Sequence, residues 1–166
     1  MPVETQIIEL AKGLAGINEP FEHAIIVYED GYLLHLRGST LGVGIPLVTD
    51  HGRAVAIVHS HPVPRTAPSL PDLRVLLSMK QLGVENPKLA TVYSDGREAT
   101  VTVYTLRSTP PPHLIPLLEQ HALEYERLNV ESRFDPAISE KQLREQHALL
   151  SRLGLSIERY RFKVAS

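Results

Sequence analysis

The chain has 166 residues, of which 43% are apolar and 22% charged, a balance typical of one globular domain with a sizeable core. Its formal net charge of −2 argues against a phosphate-dominated nucleic-acid surface. It contains no cysteine, which excludes disulfides, thiolate nucleophiles and cysteine-type zinc or iron–sulfur sites, so any metal must be held by His, Asp or Glu.

Hydrophobic periodicity and turn residues predict alternating helices and strands. In chain order these are a helix over 3–15, strands over 23–28 and 32–37, a loop over 39–52, a strand over 53–59, a helix over 70–83, strands over 88–94 and 98–106, helices over 114–130 and 138–153, and a strand over 156–164. The dipeptide Asp30-Gly31 is a hairpin turn signal. The segment RAVAIVH (53–59) is short and almost wholly apolar, as a buried central strand would be.

This order of elements predicts an α/β fold with three layers. The stretch STPPP at 108–112 is a stiff break and a candidate internal boundary. We predict an α/β domain over residues 1–130 and a C-terminal helical extension over residues 131–166. The extension could complete the core, form a homodimer or bind a partner.

Nothing in the sequence predicts membrane association. No uninterrupted apolar run approaches the roughly 20 residues that span a bilayer. The N-terminal segment MPVETQIIELAKGLAG carries acids and an amphipathic pattern, unlike a signal peptide. The expectation from the sequence is a cytoplasmic protein.

Residues 59–72, HSHPVPRTAPSLPD, carry the clearest chemical signal. His59 and His61 leave the predicted buried strand, and residues i and i+2 of an extended chain face the same side, so both imidazoles can point at one spot. Asp72 falls in the first turn of the next helix and can supply a carboxylate. Two histidines, one carboxylate and an open fourth position are what a catalytic zinc ion requires.

The same residues also have a structural interpretation. Ser-Leu-Pro-Asp is a good helix start, with Ser69 as N-cap, a proline in the first turn and an acid three residues after the cap. The whole arrangement of His, His, Ser and Asp at these spacings arises by chance in about one such sequence in a thousand, so the metal interpretation is favoured.

The segment resembles the motif of the JAMM (MPN+, JAB) zinc metalloproteases of the prokaryotic type, His-Ser/Thr-His-Pro-x6-Ser-x2-Asp with an upstream glutamate. The resemblance implies a three-layer α/β/α, cytidine-deaminase-like JAB/MPN fold with a mixed central sheet, around one zinc ion per chain. It also implies that His59, His61 and Asp72 are the metal ligands, that Ser69 stabilises the oxyanion, and that a glutamate accepts the proton from the water at the zinc.

Three glutamates are candidates for that base: Glu19, Glu22 and Glu29. We favour Glu22, which comes just before the predicted strand HAIIVY, where the family places its base. Glu29 lies in the predicted hairpin turn, and Glu19 precedes a proline. The chain has His-Ala-Ile-Ile after Glu22, where the commoner eukaryotic pattern has Cys-Gly-Leu-Leu.

The resemblance implies a hydrolase that cleaves a peptide or isopeptide bond after the C-terminus of a ubiquitin-like or sulfur-carrier protein. Two alternatives stay open. One is a RadC-like DNA-associated protein, although that group usually has His-Asn-His-Pro and the chain lacks a basic bias. The other is a non-catalytic MPN-type scaffold. The remaining histidines show no paired ligand spacing. His23 adjoins the favoured base Glu22 and could lie near the site, but a surface position of its strand is favoured.

Overall fold

A mixed β-sheet forms the centre of the computed structural model, which describes residues 3–17, 19, 21–38, 45–64, 67–151 and 154–164. Its strands are β1 (His23–Tyr28), β2 (Leu33–Arg37), β3 (Val48–Thr49), β4 (Gly52–Ser60), β5 (Lys88–Ser94), β6 (Glu98–Leu106) and β7 (Leu155–Lys163). They are ordered β2-β1-β4-β5-β6-β7, and the short β3 pairs with β4. The pair β4–β5 is parallel and the other pairs are antiparallel.

Helices cover both faces of the sheet. The described helices are α1 (Val3–Ala15), α2 (Leu70–Gln81), α3 (Ile115–Glu131) and α4 (Pro136–Leu150). Alternate residues of each strand point to opposite faces, so Ile57 packs in one apolar cluster with α2, α3 and α4, whereas Ala56 and Val58 pack in another with α1. The architecture is therefore mixed α/β and compatible with the predicted three layers.

The predicted elements match the structure closely, with differences at their ends. The helix predicted over 70–83 ends at Gln81, the one predicted over 114–130 starts with a 3-10 turn at Pro112–Leu114, and the one predicted over 138–153 covers Pro136–Leu150. Of the loop predicted over 39–52, residues 39–44 lie outside the described residues. The rest of it contains the short strand β3, which was not predicted, and ends in the first residue of β4, Gly52.

Residues after 130 contribute to the same sheet as the residues before it. Strand β7 pairs with β6 along its whole length, from Leu155 opposite Leu106 to Lys163 opposite Glu98. Leu143 and Leu150 of α4 belong to the larger apolar cluster. The predicted domain boundary at residue 130 stays a prediction, but the sheet includes residues on both sides of it. Within the described residues, no helix is both long enough and apolar enough to cross a bilayer.

The topology brings three chain segments together at one end of the central strands: the end of β4, the start of α2 and the start of β1. The chain leaves β4 at its carboxyl end and enters α2. Because β4 and β5 are parallel, it then returns to the other end of the strands, where β5 begins. Strand β1 runs antiparallel to β4, so its amino end meets the carboxyl end of β4. Ligands in open α/β sheets usually bind at the carboxyl ends of the parallel strands. The residues around His59 and His61, the start of α2 and the start of β1 all lie there.

Candidate metal centre

His59 and His61 lie at the carboxyl end of β4 and are each 5% exposed. The backbone N–H of His61 donates to the carbonyl of Val92 at 2.8 Å, which holds the chain against β5 just beyond the end of β4. The two rings are 4.6 Å apart and almost perpendicular, at 86°. The alternation of side chains along an extended segment thus brings both imidazoles to one place, as the sequence predicted.

Asp72 reaches the same place from the first turn of α2. Its Oδ2 lies 3.0 Å from Nε2 of His59 and 3.7 Å from Nε2 of His61. The same oxygen accepts a hydrogen bond of 2.7 Å from the backbone N–H of Ser69, and the Oγ of Ser69 accepts one of 3.2 Å from the backbone N–H of Asp72. This capping box confirms the predicted helix start and fixes the direction of the carboxylate.

These three side chains form a group that could bind a metal ion. One ligand atom from each of His59, His61 and Asp72 lies within 4.8 Å of the others. Burial by itself raises the pKa of Asp72, but the charges and hydrogen bonds of His59 and His61 together outweigh it and hold that pKa well below its usual range. The carboxyl group is therefore ionised, as a metal ligand must be.

Glu22 and Ser69 line a cavity of about 250 Å³ together with His59 and Asp72. The position of Glu22 follows from strand register: Ala24 pairs with His59, so a residue two positions before Ala24 lies on the His59 side of the sheet. The rest of the lining is largely apolar. It comprises Ala24, Ile45, Ile57, Pro71, Val75, Leu89 and Glu126.

The other two candidate glutamates lie elsewhere. Glu29 is at the opposite end of β1, where its carboxylate accepts hydrogen bonds of 3.0 and 2.6 Å from the guanidinium of Arg53. Glu19 lies 3.4 Å from Nε2 of His23 and 3.6 Å from the guanidinium of Arg37. It lines a second cavity, of about 340 Å³, whose lining includes His61 but neither His59 nor Asp72.

The prediction of a surface position for His23 is wrong, because this residue is only 3% exposed. Its Nδ1 forms a hydrogen bond of 2.9 Å with Nε2 of His35 on the neighbouring strand. His35 pairs with Ile25, two residues from His23, so the two rings share a face. Such a cross-strand pair has no short-range spacing signal, and the sequence pattern therefore missed it.

Glu126 of α3 is a cavity residue that the sequence did not single out. It lies in a helix that was predicted, but its approach to the cavity depends on how α3 packs against α2. No local signal distinguishes it from the other acids of that helix, Glu119, Glu124 and Glu131.

No family model, curated protein or solved structure matches the chain. The resemblance to the JAMM pattern rests on the motif residues 59–72 and an upstream glutamate. Beyond the mixed α/β class, the JAB/MPN fold that the motif implies stays a prediction.

Proposed function

We propose that the protein is a zinc-dependent peptidase or isopeptidase that cleaves after the C-terminus of a ubiquitin-like or sulfur-carrier protein. The observation that carries this proposal is the grouping of His59, His61 and Asp72 within 4.8 Å beside a cavity that Glu22 and Ser69 also line. Two imidazoles and a carboxylate are a donor set typical of catalytic zinc, whereas hard cations such as Mg²⁺ prefer oxygen ligands.

His59, His61 and Asp72 would hold the zinc ion. When bound in such a site, zinc lowers the pKa of a coordinated water to about 7 and polarises a substrate carbonyl. Three protein ligands leave room for water or substrate. The capping box contributes by holding the Asp72 carboxylate toward the two imidazoles, which reduces the reorganisation that metal binding needs.

Glu22 is the residue that moves the proton. It lies on the His59 side of the sheet and lines the same cavity, where it can accept a proton from the attacking water and donate it to the leaving nitrogen. The two transfers return the carboxylate to its starting state, so one glutamate serves as base and then as acid.

The hydroxyl of Ser69 would both cap α2 and donate a hydrogen bond to the substrate carbonyl oxygen. Its oxygen accepts from the backbone N–H of Asp72, which leaves the hydroxyl proton available as a donor. A donor directed at the carbonyl oxygen stabilises the negative charge that develops there. The helix cap thereby places the hydroxyl next to the metal ligand Asp72.

The volume of the cavity supports a short peptide segment as substrate. A volume of about 250 Å³ suits a short extended segment and excludes a folded domain. A ubiquitin-like or sulfur-carrier protein presents its scissile bond on such a C-terminal tail, which is the substrate class that the motif resemblance implies.

The test is cleavage of a panel of ubiquitin-like and sulfur-carrier proteins carrying a short C-terminal extension, with products identified by mass spectrometry. Zinc-loaded wild-type protein should release the extension, and Glu22→Gln should not, although it retains zinc. Zinc binding without cleavage of any member would favour the non-catalytic scaffold. Tight DNA binding that weakens steeply with salt would favour the RadC-like alternative.

A further inference from the structure

Helix α4 presents a polar stripe to the protein interior. Ser139, Gln142 and Gln146 are spaced so that they share one helix face, and they are 1%, 0% and 1% exposed. Burying a hydroxyl and two amides is costly unless they form hydrogen bonds. Their partners therefore indicate what this face of α4 contacts.

The partner of Ser139 is the loop that carries the metal motif. The backbone N–H of Ala67, a residue with no exposed surface, donates to the Oγ of Ser139 at 3.2 Å. Ala67 lies two residues before the N-cap Ser69 and five before Asp72. Its neighbour Pro68 has no N–H, so Ala67 supplies the backbone donor at this point of the loop.

The two glutamines anchor the same helix to other elements. The hydroxyl of Tyr104, in β6, donates to Oε1 of Gln146. The side-chain amide of Asn129, in α3, donates to Oε1 of Gln142 at 3.3 Å. These two contacts hold α4 to α3 and to β6 in the two turns that follow Ser139.

We infer that Ser139 is a positioning residue for the metal centre, and that α4 supports the segment from Ala67 to Asp72. The hydrogen bond fixes the loop just before the capping box, and the capping box in turn directs the Asp72 carboxylate at His59 and His61. This gives a role to residues 131–166. The inference rests on the proposed metal centre but not on the identity of the substrate.

The first experiment measures zinc affinity of the full-length protein by competition with a chromogenic chelator. Ser139→Ala leaves the buried N–H of Ala67 without its acceptor, and we expect zinc affinity to fall by about 10-fold or more, as for other residues that orient metal ligands. Ser139→Thr keeps the hydroxyl and should bind zinc nearly as wild type does.

Two control variants separate positioning from general destabilisation. Ser156→Ala removes a hydroxyl whose buried oxygen has no hydrogen-bond partner among the described residues, so zinc affinity should not change. Leu143→Ala opens a cavity on α4 itself and should lower the thermal midpoint. Measured well below that midpoint, its zinc affinity should match that of the wild type.

Hydrogen exchange of the metal-free proteins supplies a second readout that does not depend on zinc. Ser139→Ala should speed exchange at the amide of Ala67, whereas Ser156→Ala should not. Wild-type zinc affinity in Ser139→Ala overturns the inference, and so does unchanged exchange at Ala67. If the wild type takes up no zinc, the proposed function fails, and the exchange measurement alone decides whether Ser139 holds the loop.

Discussion

The two ends of the β1–β4 pair carry acidic side chains in opposite environments. At the end away from the site, Glu29 and Arg53 form an ion pair in which both side chains are more than a third exposed, 38% and 39%. At the other end, Asp72 meets His59, and their side chains are only 14% and 6% exposed. One carboxylate faces a permanent cation in water, and the other faces imidazoles in the protein interior.

This difference explains why, of these two ends of the β1–β4 pair, only the one near Asp72 is a candidate functional site. The guanidinium of Arg53 satisfies the carboxylate of Glu29 through two hydrogen bonds, and its backbone N–H adds a third of 2.7 Å, so the hairpin end needs nothing further. The partly buried carboxylate of Asp72 lies beside two histidines, and one ligand atom from each of the three residues lies within 4.8 Å of the others. That group could bind a metal ion, and the cavity that Glu22 and Ser69 line lies next to it.

The largest expected effect is at Asp72. Asp72→Asn keeps an oxygen that can accept from the backbone N–H of Ser69, so the helix cap should survive, but it removes the anionic ligand. Residues that only orient ligands change metal affinity by about 10–100-fold, so loss of a ligand should exceed about 100-fold. Chelator competition measures the affinity and circular dichroism verifies the fold. Zinc affinity equal to that of the wild type would exclude Asp72 as a ligand.

The next largest expected effect is on kcat, and it compares the two ends of the β1–β4 pair through the variants Glu22→Gln and Glu29→Gln. Loss of the proposed base should reduce kcat by roughly 10²–10⁴-fold while one zinc ion stays bound. The exposed Glu29 should matter little to turnover, because its partner Arg53 is far from the cavity. Both variants are assayed on the same cleaved protein substrate. Full activity in Glu22→Gln together with inactivity in Glu29→Gln would reverse the assignment.

The smallest effects separate the two tasks of Ser69. Loss of the cap in Ser69→Ala should cost about 0.5–2 kcal/mol of stability, whereas loss of an oxyanion donor should lower kcat by about 10²-fold. Ser69→Asp keeps a good N-cap but places a negative charge beside the developing oxyanion, so it should stay stable and lose activity. Urea unfolding and steady-state kinetics measure the two effects. Wild-type turnover in a folded, zinc-bound Ser69→Asp protein would leave Ser69 as a cap only.

The grouping of the three candidate ligand residues was predictable because their geometry is local. His59 and His61 share a face through the alternation of an extended chain, and Asp72 is placed by a helix start that Ser69 signals three residues earlier. The helices and strands were predictable for the same reason, since the hydrophobic pattern that predicts each of them lies within its own segment. Their ends moved by a few residues because caps and 3-10 turns decide where a helix begins and ends.

The features that the sequence did not predict depend on contacts between distant residues. The contact between His23 and His35 requires the register of β1 against β2. The buried glutamines of α4 run against the usual exposure of that residue type, and their burial depends on partners such as Tyr104, 42 residues away from Gln146. Neither relation leaves a periodic trace in the sequence.

Native mass spectrometry of the zinc-loaded chain tests the central claim most directly. We expect one zinc ion in the wild type and none in His59→Ala, because a single group of three ligands was found among the described residues and His59 is one of them. Retention of one zinc ion by a folded His59→Ala protein, or failure of the wild type to take up zinc, would contradict the assignment of the metal centre.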